Sequence, residues 1–181
     1  MLAALVLAAV VPATSAAQTP PEVTGHTIVN TGHATRVQIW RSHARTARLS
    51  AQRRAAMVGY HLRFRPYEQR TSSLGYLRWL TARFNGVAAQ YRRAWNRMYP
   101  HLMCIHSHEG AWTAYNPAGY YGGLQMDWSF MRTYGADKLR KYHGHDARYW
   151  SPVDQITAAI RAVRSRGYSP WSTSAAACGL Y

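Results

Sequence analysis

Residues Leu77 to Met98 read LRWLTARFNGVAAQYRRAWNRM, and the members Leu77, Leu80, Phe84, Val87, Tyr91, Trp95 and Met98 advance by steps of three and four. That period puts all of them on one helical face. Upstream, the same step joins Val37, Trp40, Ala44, Ala47, Ala51, Ala55 and Val58, so a second amphipathic helix precedes the first. Between the stripes, HLRFRPYEQRTSS (residues 61 to 73) holds Pro66, which breaks a helix, and a Thr-Ser-Ser cluster suited to cap the next one. Two helices and a connector predict an antiparallel hairpin over residues 33 to 99. Each stripe lasts about three heptads, too short to establish a long coiled coil.

The other faces of this hairpin are rich in arginine. The chain of 181 residues has 22 Lys+Arg against 7 Asp+Glu, a formal net charge of +15. Fourteen of those basic residues lie between Arg36 and Arg97, with a single acid, Glu68, among them. So one-sided a segment has too few acids for internal pairing, and it predicts attachment to a polyanion. Anionic wall polymers, phospholipid head groups and extracellular nucleic acid all have that chemistry. Nucleic acid is the weakest candidate, because zinc-finger spacing, an aromatic RNA-binding strand motif and a glycine-rich phosphate loop are all missing. The scarcity of acids also argues against a calcium or magnesium cage.

Residues 1 to 17, MLAALVLAAVVPATSAA, carry no charged side chain and end in small residues, with Ser15 and Ala17 at the minus-three and minus-one positions of a plausible cut. They read as a secretory signal peptide. Residues 18 to 32, QTPPEVTGHTIVNTG, show no sustained period and read as a linker. No later segment approaches the roughly 18 apolar residues of a spanning helix. The expectation is therefore a secreted, cell-wall-associated protein with no transmembrane segment in its mature part. In an oxidising compartment the only two cysteines, Cys104 and Cys178, are expected to pair. Their bridge would enclose most of a unit spanning residues 100 to 181.

The residue types that bear chemistry fall in that unit. His101 to Glu109 read as a short helix ended by Gly110, with Glu109 three positions before Trp112. A carboxyl group at a helix end, near aromatic and apolar side chains, is suited to deliver a proton as a general acid. Gly119-Tyr120-Tyr121-Gly122-Gly123-Leu124-Gln125 follows. Glycines permit close backbone approach, tyrosines offer flat faces to sugar rings, and a glutamine amide both donates and accepts. On residue types alone this is either a carbohydrate cleft or a Gly-Gly turn with core tyrosines.

These residues carry a resemblance. Residues 104 to 178 resemble the lysozyme-like catalytic domain of the resuscitation-promoting factors and, more distantly, soluble lytic transglycosylases. The matching stretches are Glu109 with Trp112, the Gly119 to Gln125 string, SPVDQITAAI from Ser151 to Ile160, and Gly167 to Trp171 leading to Cys178. The resemblance implies a small, mainly α, lysozyme-like domain with little or no β structure. It also implies peptidoglycan as substrate, cut between N-acetylmuramic acid and N-acetylglucosamine without a cofactor or metal. Glu109 takes the place of the catalytic glutamate and Gln125 that of the cleft glutamine; Trp112, Tyr120, Tyr121 and Asp127 complete the expected substrate-binding set. The chain departs from the family in four places: Cys104 lies a turn earlier than the cysteine that usually precedes the glutamate, Cys178 lies about a turn further past Trp171 than usual, the Glu-to-Trp interval is two residues shorter, and Phe130-Met131 stands where a Thr-Trp pair is usual.

Counting carboxylates sets the expected mechanism. The acids of the unit are Glu109, Asp127, Asp137, Asp146 and Asp154. Asp127 suits a helix cap before WSFM, and Asp154 suits a helix start after Ser151-Pro152. Asp127, two residues past Gln125, is the only other acid close to the motif and the one alternative partner; the expected mechanism is a single acid, Glu109, for a glycoside hydrolase or a lytic transglycosylase. Two rivals stand beside this reading. One is a basic wall-binding module with an inactive lysozyme-like fold. The other is a zinc-dependent wall hydrolase built on His106, His108, His143 and His145, although Trp112 stands where a metalloprotease motif needs its second histidine.

Overall fold

The computed structural model describes residues 31–181; the expected signal peptide and residues 18–30 of the expected linker lie outside the described residues. The architecture is mainly α, with a two-stranded sheet. Helix α1 spans Thr31–Met57 and so takes in the last two positions read as linker. Its stripe is the buried face: Val37, Ala44, Ala47, Ala51, Ala55 and Val58 are all buried, with Trp40 partly so. Four of these are alanines, whose small side chains let the two helices of the hairpin approach closely.

The connector is fastened from both sides. Arg48 of α1 donates from Nε and Nη2 to Oε1 of Glu68, at 3.0 and 2.8 Å, and Arg41 donates to the Thr71 carbonyl. The lone acid of the hairpin is thus buried and paired inward, and most of the other arginines are exposed. Ser73 then caps helix α2 by accepting from the Tyr76 amide. The Thr-Ser-Ser cluster acts as its sequence indicates.

Helix α2 runs over Leu74–Glu109, 36 residues, about 54 Å at the usual rise. The helix expected over residues 101 to 109 is the end of one continuous rod that includes Pro100 and runs through the position of the expected boundary. Proline removes a helical hydrogen bond and crowds the preceding turn. Packing offsets that cost: Trp95 and Met98 before the proline and Leu102 and Ile105 after it all join one hydrophobic core. The first half of α2 packs on α1, with Leu77, Leu80 and Phe84 buried, while its last turns enter the second core.

Around that second core the chain makes short elements. Strands β1 (Tyr115–Asn116) and β2 (Tyr120–Tyr121) form an antiparallel hairpin, followed by α3 (Trp128–Tyr134), α4 (Ala136–Lys141), α5 (Pro152–Arg166) and α6 (Ser172–Ala177). Asp127 caps α3 through the Phe130 amide, and Ser151 caps α5 through the Asp154 amide with Pro152 in the first turn, as the sequence predicts. Asp154 is also the hub of a polar cluster, receiving Lys138, Lys141, Tyr142 and Ser151. Burial alone would push the carboxyl groups of Asp154 and Asp137 up. Hydrogen bonds and ion pairs with Lys138 and Lys141 for the first, and with Arg161 and Lys138 for the second, more than offset it. Asp137 is held at about 2 and Asp154 well below the ordinary carboxylate range. Among the described residues, no helix is long and apolar enough to cross a membrane.

Cys104 and Cys178 are bonded, across a separation of 74 positions. The bridge ties the end of α6 to α2. In the chain-entropy account, a loop of this length contributes about 4 kcal/mol by restricting the unfolded chain. Thermal unfolding of the oxidised protein, repeated after reduction, is expected to show a midpoint lowered by about 8–16 °C, and Cys104→Ser/Cys178→Ser should behave like the reduced form. Equal midpoints would remove the bridge from the stability of the fold.

Candidate active site

Glu109 is the last residue of α2, and Gly110, at φ 134°, ends the helix there. The carboxyl is half-buried. Its Oε1 accepts a short hydrogen bond from Ser174 Oγ of α6. One turn back, His106 donates from Nδ1 to the Gly123 carbonyl at 2.9 Å and stacks on Trp112, ring centroids 3.7 Å apart at 21°. The helix that carries Glu109 is therefore joined to the Gly122-Gly123 turn, with Trp112 lying over the histidine.

The two glycines are required by protein packing. A Cβ on Gly122 would sit 2.4 Å from Gln155 Oε1, and one on Gly123 2.6 Å from His106 Nδ1 and 2.8 Å from Trp112. Of the two readings open at the level of sequence, close approach by the rest of the chain is the one these distances support. The turn is fixed further by the Trp171 indole, which donates to the Leu124 carbonyl at 2.7 Å.

Gln155 was not among the expected site residues, and it holds the region together. It is fully buried on α5. Its Oε1 accepts from the Gly123 amide at 2.9 Å, while Nε2 donates to the carbonyls of Ala147 and Trp112 at 2.7 and 2.9 Å, with a longer contact to Trp150. One amide group thus joins three separate stretches of chain. The available signal was its place on the face of α5 shared with Ala158, Ala159 and Ala162: a polar residue in line with buried alanines.

The other expected residues are distributed around this turn. Tyr120 is exposed on β2. Tyr121 is half-buried and touches the rings of Tyr115 and Trp128. Gln125, at φ 46°, donates from its own amide to the Gly122 carbonyl and closes the turn it belongs to. Asp127 uses Oδ1 to cap α3, the structural role its position indicates. Phe130 and Met131, at the positions where the resemblance leads one to expect a Thr-Trp pair, are buried in the core.

Of the histidines weighed as metal ligands, His106 is occupied by Gly123 and Trp112, and the His145 ring packs on Tyr149. His108 brings a ring nitrogen within 4.8 Å of the sulfurs of Cys104 and Cys178, but those sulfurs are bonded to each other. Cavities of about 290 and 210 Å³ are lined by Arg41, Arg45 and Glu68, and by His61, Asp137 and Arg161. Neither is lined by Glu109. No family model, curated protein or solved structure matches the chain.

Replacing Gln155 by leucine would leave the Gly123 amide and two carbonyls buried without their partner, at about 1–3 kcal/mol for each group left unsatisfied. Gln155→Leu is expected to lower unfolding stability by about 3 kcal/mol or more, read by urea denaturation. A loss below about 1 kcal/mol, the size of one ordinary hydrogen bond, would mean that the three stretches are held without it.

Proposed function

We propose that this chain is a secreted, muralytic glycosidase or lytic transglycosylase that cuts peptidoglycan between N-acetylmuramic acid and N-acetylglucosamine, with Glu109 as its only catalytic carboxyl group. What supports this reading above all is the joining of Glu109, through the helix turn of His106, to the Trp112 and Gly123 turn that carries Tyr120, Tyr121 and Gln125. A long glycan needs an open face to lie along.

The steps balance on one carboxyl group. Because Oε1 receives the Ser174 hydroxyl hydrogen, Oε2 is the oxygen that carries the transferable proton. Glu109 delivers it to the bridging oxygen as the bond from the muramyl C1 breaks. The oxocarbenium-like C1 is then captured by the muramyl 6-hydroxyl or by water, and the proton of that nucleophile returns to Glu109. Capture by the 6-hydroxyl leaves a 1,6-anhydro ring, and capture by water leaves a reducing end.

Glu109→Gln keeps an acceptor for Ser174 and removes the acid. Turnover on purified sacculi should fall by at least about a hundredfold, the low end for general acid catalysis. Asp127→Asn, which preserves a capping side chain, should be much milder. Mass spectrometry of the released muropeptides reads both, and also tells anhydro from reducing products. Full activity in Glu109→Gln would end this reading; loss of cleavage in a folded Asp127→Asn protein would replace it with a two-carboxylate mechanism.

The hairpin supplies the attachment in this proposal. Arg45, Arg53, Arg63, Arg65, Arg78 and Arg83 are among its exposed arginines, whereas Glu68 is turned inward to Arg48. Binding of the full chain to sacculi that carry phosphate polymers is expected to weaken steeply between low salt and several hundred millimolar, as the screening length contracts from about 10 Å at 0.1 M towards 3 Å at 1 M. Pelleting with the inactive Glu109→Gln protein measures it. Retention that does not respond to salt would place the attachment in contacts other than charge.

A further inference from the structure

Beyond the Glu109 turn lies a guanidinium set among tyrosine rings. Arg148 belongs to the 3-10 turn Ala147–Tyr149, which Asp146 caps. Asp146 Oδ1 accepts from the Arg148 amide and from Nε, both at 2.9 Å, and Oδ2 accepts from Nη2 at 2.8 Å. This two-pronged pairing fixes the plane of the guanidinium. Burial would push the Asp146 carboxyl up, but the hydrogen bonds from Arg148 more than offset it and hold Asp146 below the usual carboxylate range. Nη1, which that pairing does not use, remains available to a ligand.

Three rings surround the cation. The Arg148 Cζ lies 5.0 Å from the ring centre of Tyr115, 5.4 Å from Tyr121 and 5.6 Å from Tyr149. Asp146 beneath is 6% exposed, the Arg148 side chain is about a third exposed, and Tyr115 and Tyr149 are 53% and 57% exposed. Large rings left open around an oriented cation are costly to keep wet and are not needed to hold Arg148, which Asp146 already holds. The strip continues through Tyr121 to Trp128, with Arg132 over the Trp128 ring at 5.9 Å. Ring faces that stack on sugars alternate along it with cations that pair with anions.

Placement links this strip to the proposed site. Ala147, between Asp146 and Arg148, gives its carbonyl to the same Gln155 amide that holds Trp112 and Gly123. Tyr121 immediately precedes the two glycines of that turn. A glycan lying over Trp112 would run on towards Arg148 along rigidly connected backbone.

We infer that Arg148, with the rings of Tyr115 and Tyr149, forms a binding site for carboxylates carried on the peptide substituents of the glycan strand, a reading that rests on the activity proposed at Glu109. The site discriminates between strands. Peptide-bearing glycan satisfies both the rings and the guanidinium, and bare glycan satisfies the rings alone.

Binding is the direct readout and is separable from cleavage. The Glu109→Gln protein is pelleted with intact sacculi and with sacculi stripped of peptides by an amidase, both at several hundred millimolar salt, where the diffuse attraction of the hairpin is screened. Intact sacculi should bind about tenfold more tightly or better, the lower end for a hydrogen bond to a charged group, and adding Arg148→Gln should abolish the difference. Because that variant leaves Asp146 buried without its cation, Tyr115→Ala and Tyr149→Ala provide an independent arm: both rings are exposed, the Asp146 pair is untouched, and each should weaken binding to both polymers. In the active protein, Arg148→Gln should raise KM on intact sacculi with little change in kcat. Equal binding of the two polymers by the parent protein, or equal losses on both in Arg148→Gln, overturns the inference. Tighter binding of short single-stranded DNA than of intact sacculi overturns it in favour of a nucleic-acid strip. If the wild-type chain fails to cut sacculi while the Arg148-dependent preference persists, the activity falls and this site stands.

Discussion

The lower unit, built around the second hydrophobic core, depends on a single buried amide. A glutamine side chain in a protein interior must find a donor for its oxygen and acceptors for its nitrogen, because leaving them unpaired costs about as much as each bond would yield in a dry environment. Gln155 meets that demand with backbone groups alone, at Gly123, Ala147 and Trp112. The consequence reaches beyond its own energy. Backbone partners cannot be exchanged for other side chains, so the relative placement of the Trp112 segment, the glycine turn and the Asp146-Arg148 turn is set by the geometry of one planar group. The glycines follow from the same requirement, since the space a Cβ on Gly122 would need is already taken by the Gln155 oxygen.

A second joint fixes the end of α2. Helix α6 runs back along its last turns, so that Cys178 meets Cys104 and, one turn earlier on α6, Ser174 meets Glu109. A helix of six residues has too few internal hydrogen bonds to persist alone. Here one covalent bond and one short hydrogen bond attach it at two levels to a rod that itself spans both cores. Glu109 therefore does not sit on a fraying helix end. Its orientation is shared with a segment 65 residues away in sequence, which is the sort of support a reacting carboxyl group needs to stay aimed.

What the sequence made legible is what periodicity and local chemistry encode. Both apolar stripes, the Ser73 and Asp127 caps, the stop at Gly110 and the Ser151-Pro152 start of α5 all depend on neighbours within a turn or two. The continuous helix through Pro100 was not legible, because the local cost of proline is overridden by Leu102 and Ile105, whose burial depends on α5 and the strand hairpin. Gln155 escaped for the same reason: its partners lie 5 to 43 positions away, and those at Gly123 and Trp112 are 32 and 43 positions distant. The Arg148 cage escaped because tyrosines at 115, 121 and 149 share no period. The site residues themselves were named from a resemblance, and residue spacing alone left the Gly-Gly string open between a ligand cleft and a packed turn.

The uneven distribution of acids gives the two halves different surface chemistry. In the lower unit Asp137, Asp146 and Asp154 each neutralise specific cations, so its remaining charge is arranged and local. In the hairpin the only acid is spent inward on Arg48, and the exposed arginines have no acid partner along 67 positions of sequence. An unneutralised rod of this kind repels itself and gains from any dense anion laid against it. Such attraction is long-ranged and poorly directional, whereas the Arg148 cage is short-ranged and oriented by Asp146. Under the activity proposed above, the two would be complementary: diffuse charge would hold the protein on a surface without fixing its register, and the oriented cation would bear only on a strand laid against its rings, so retention and strand choice could be altered independently.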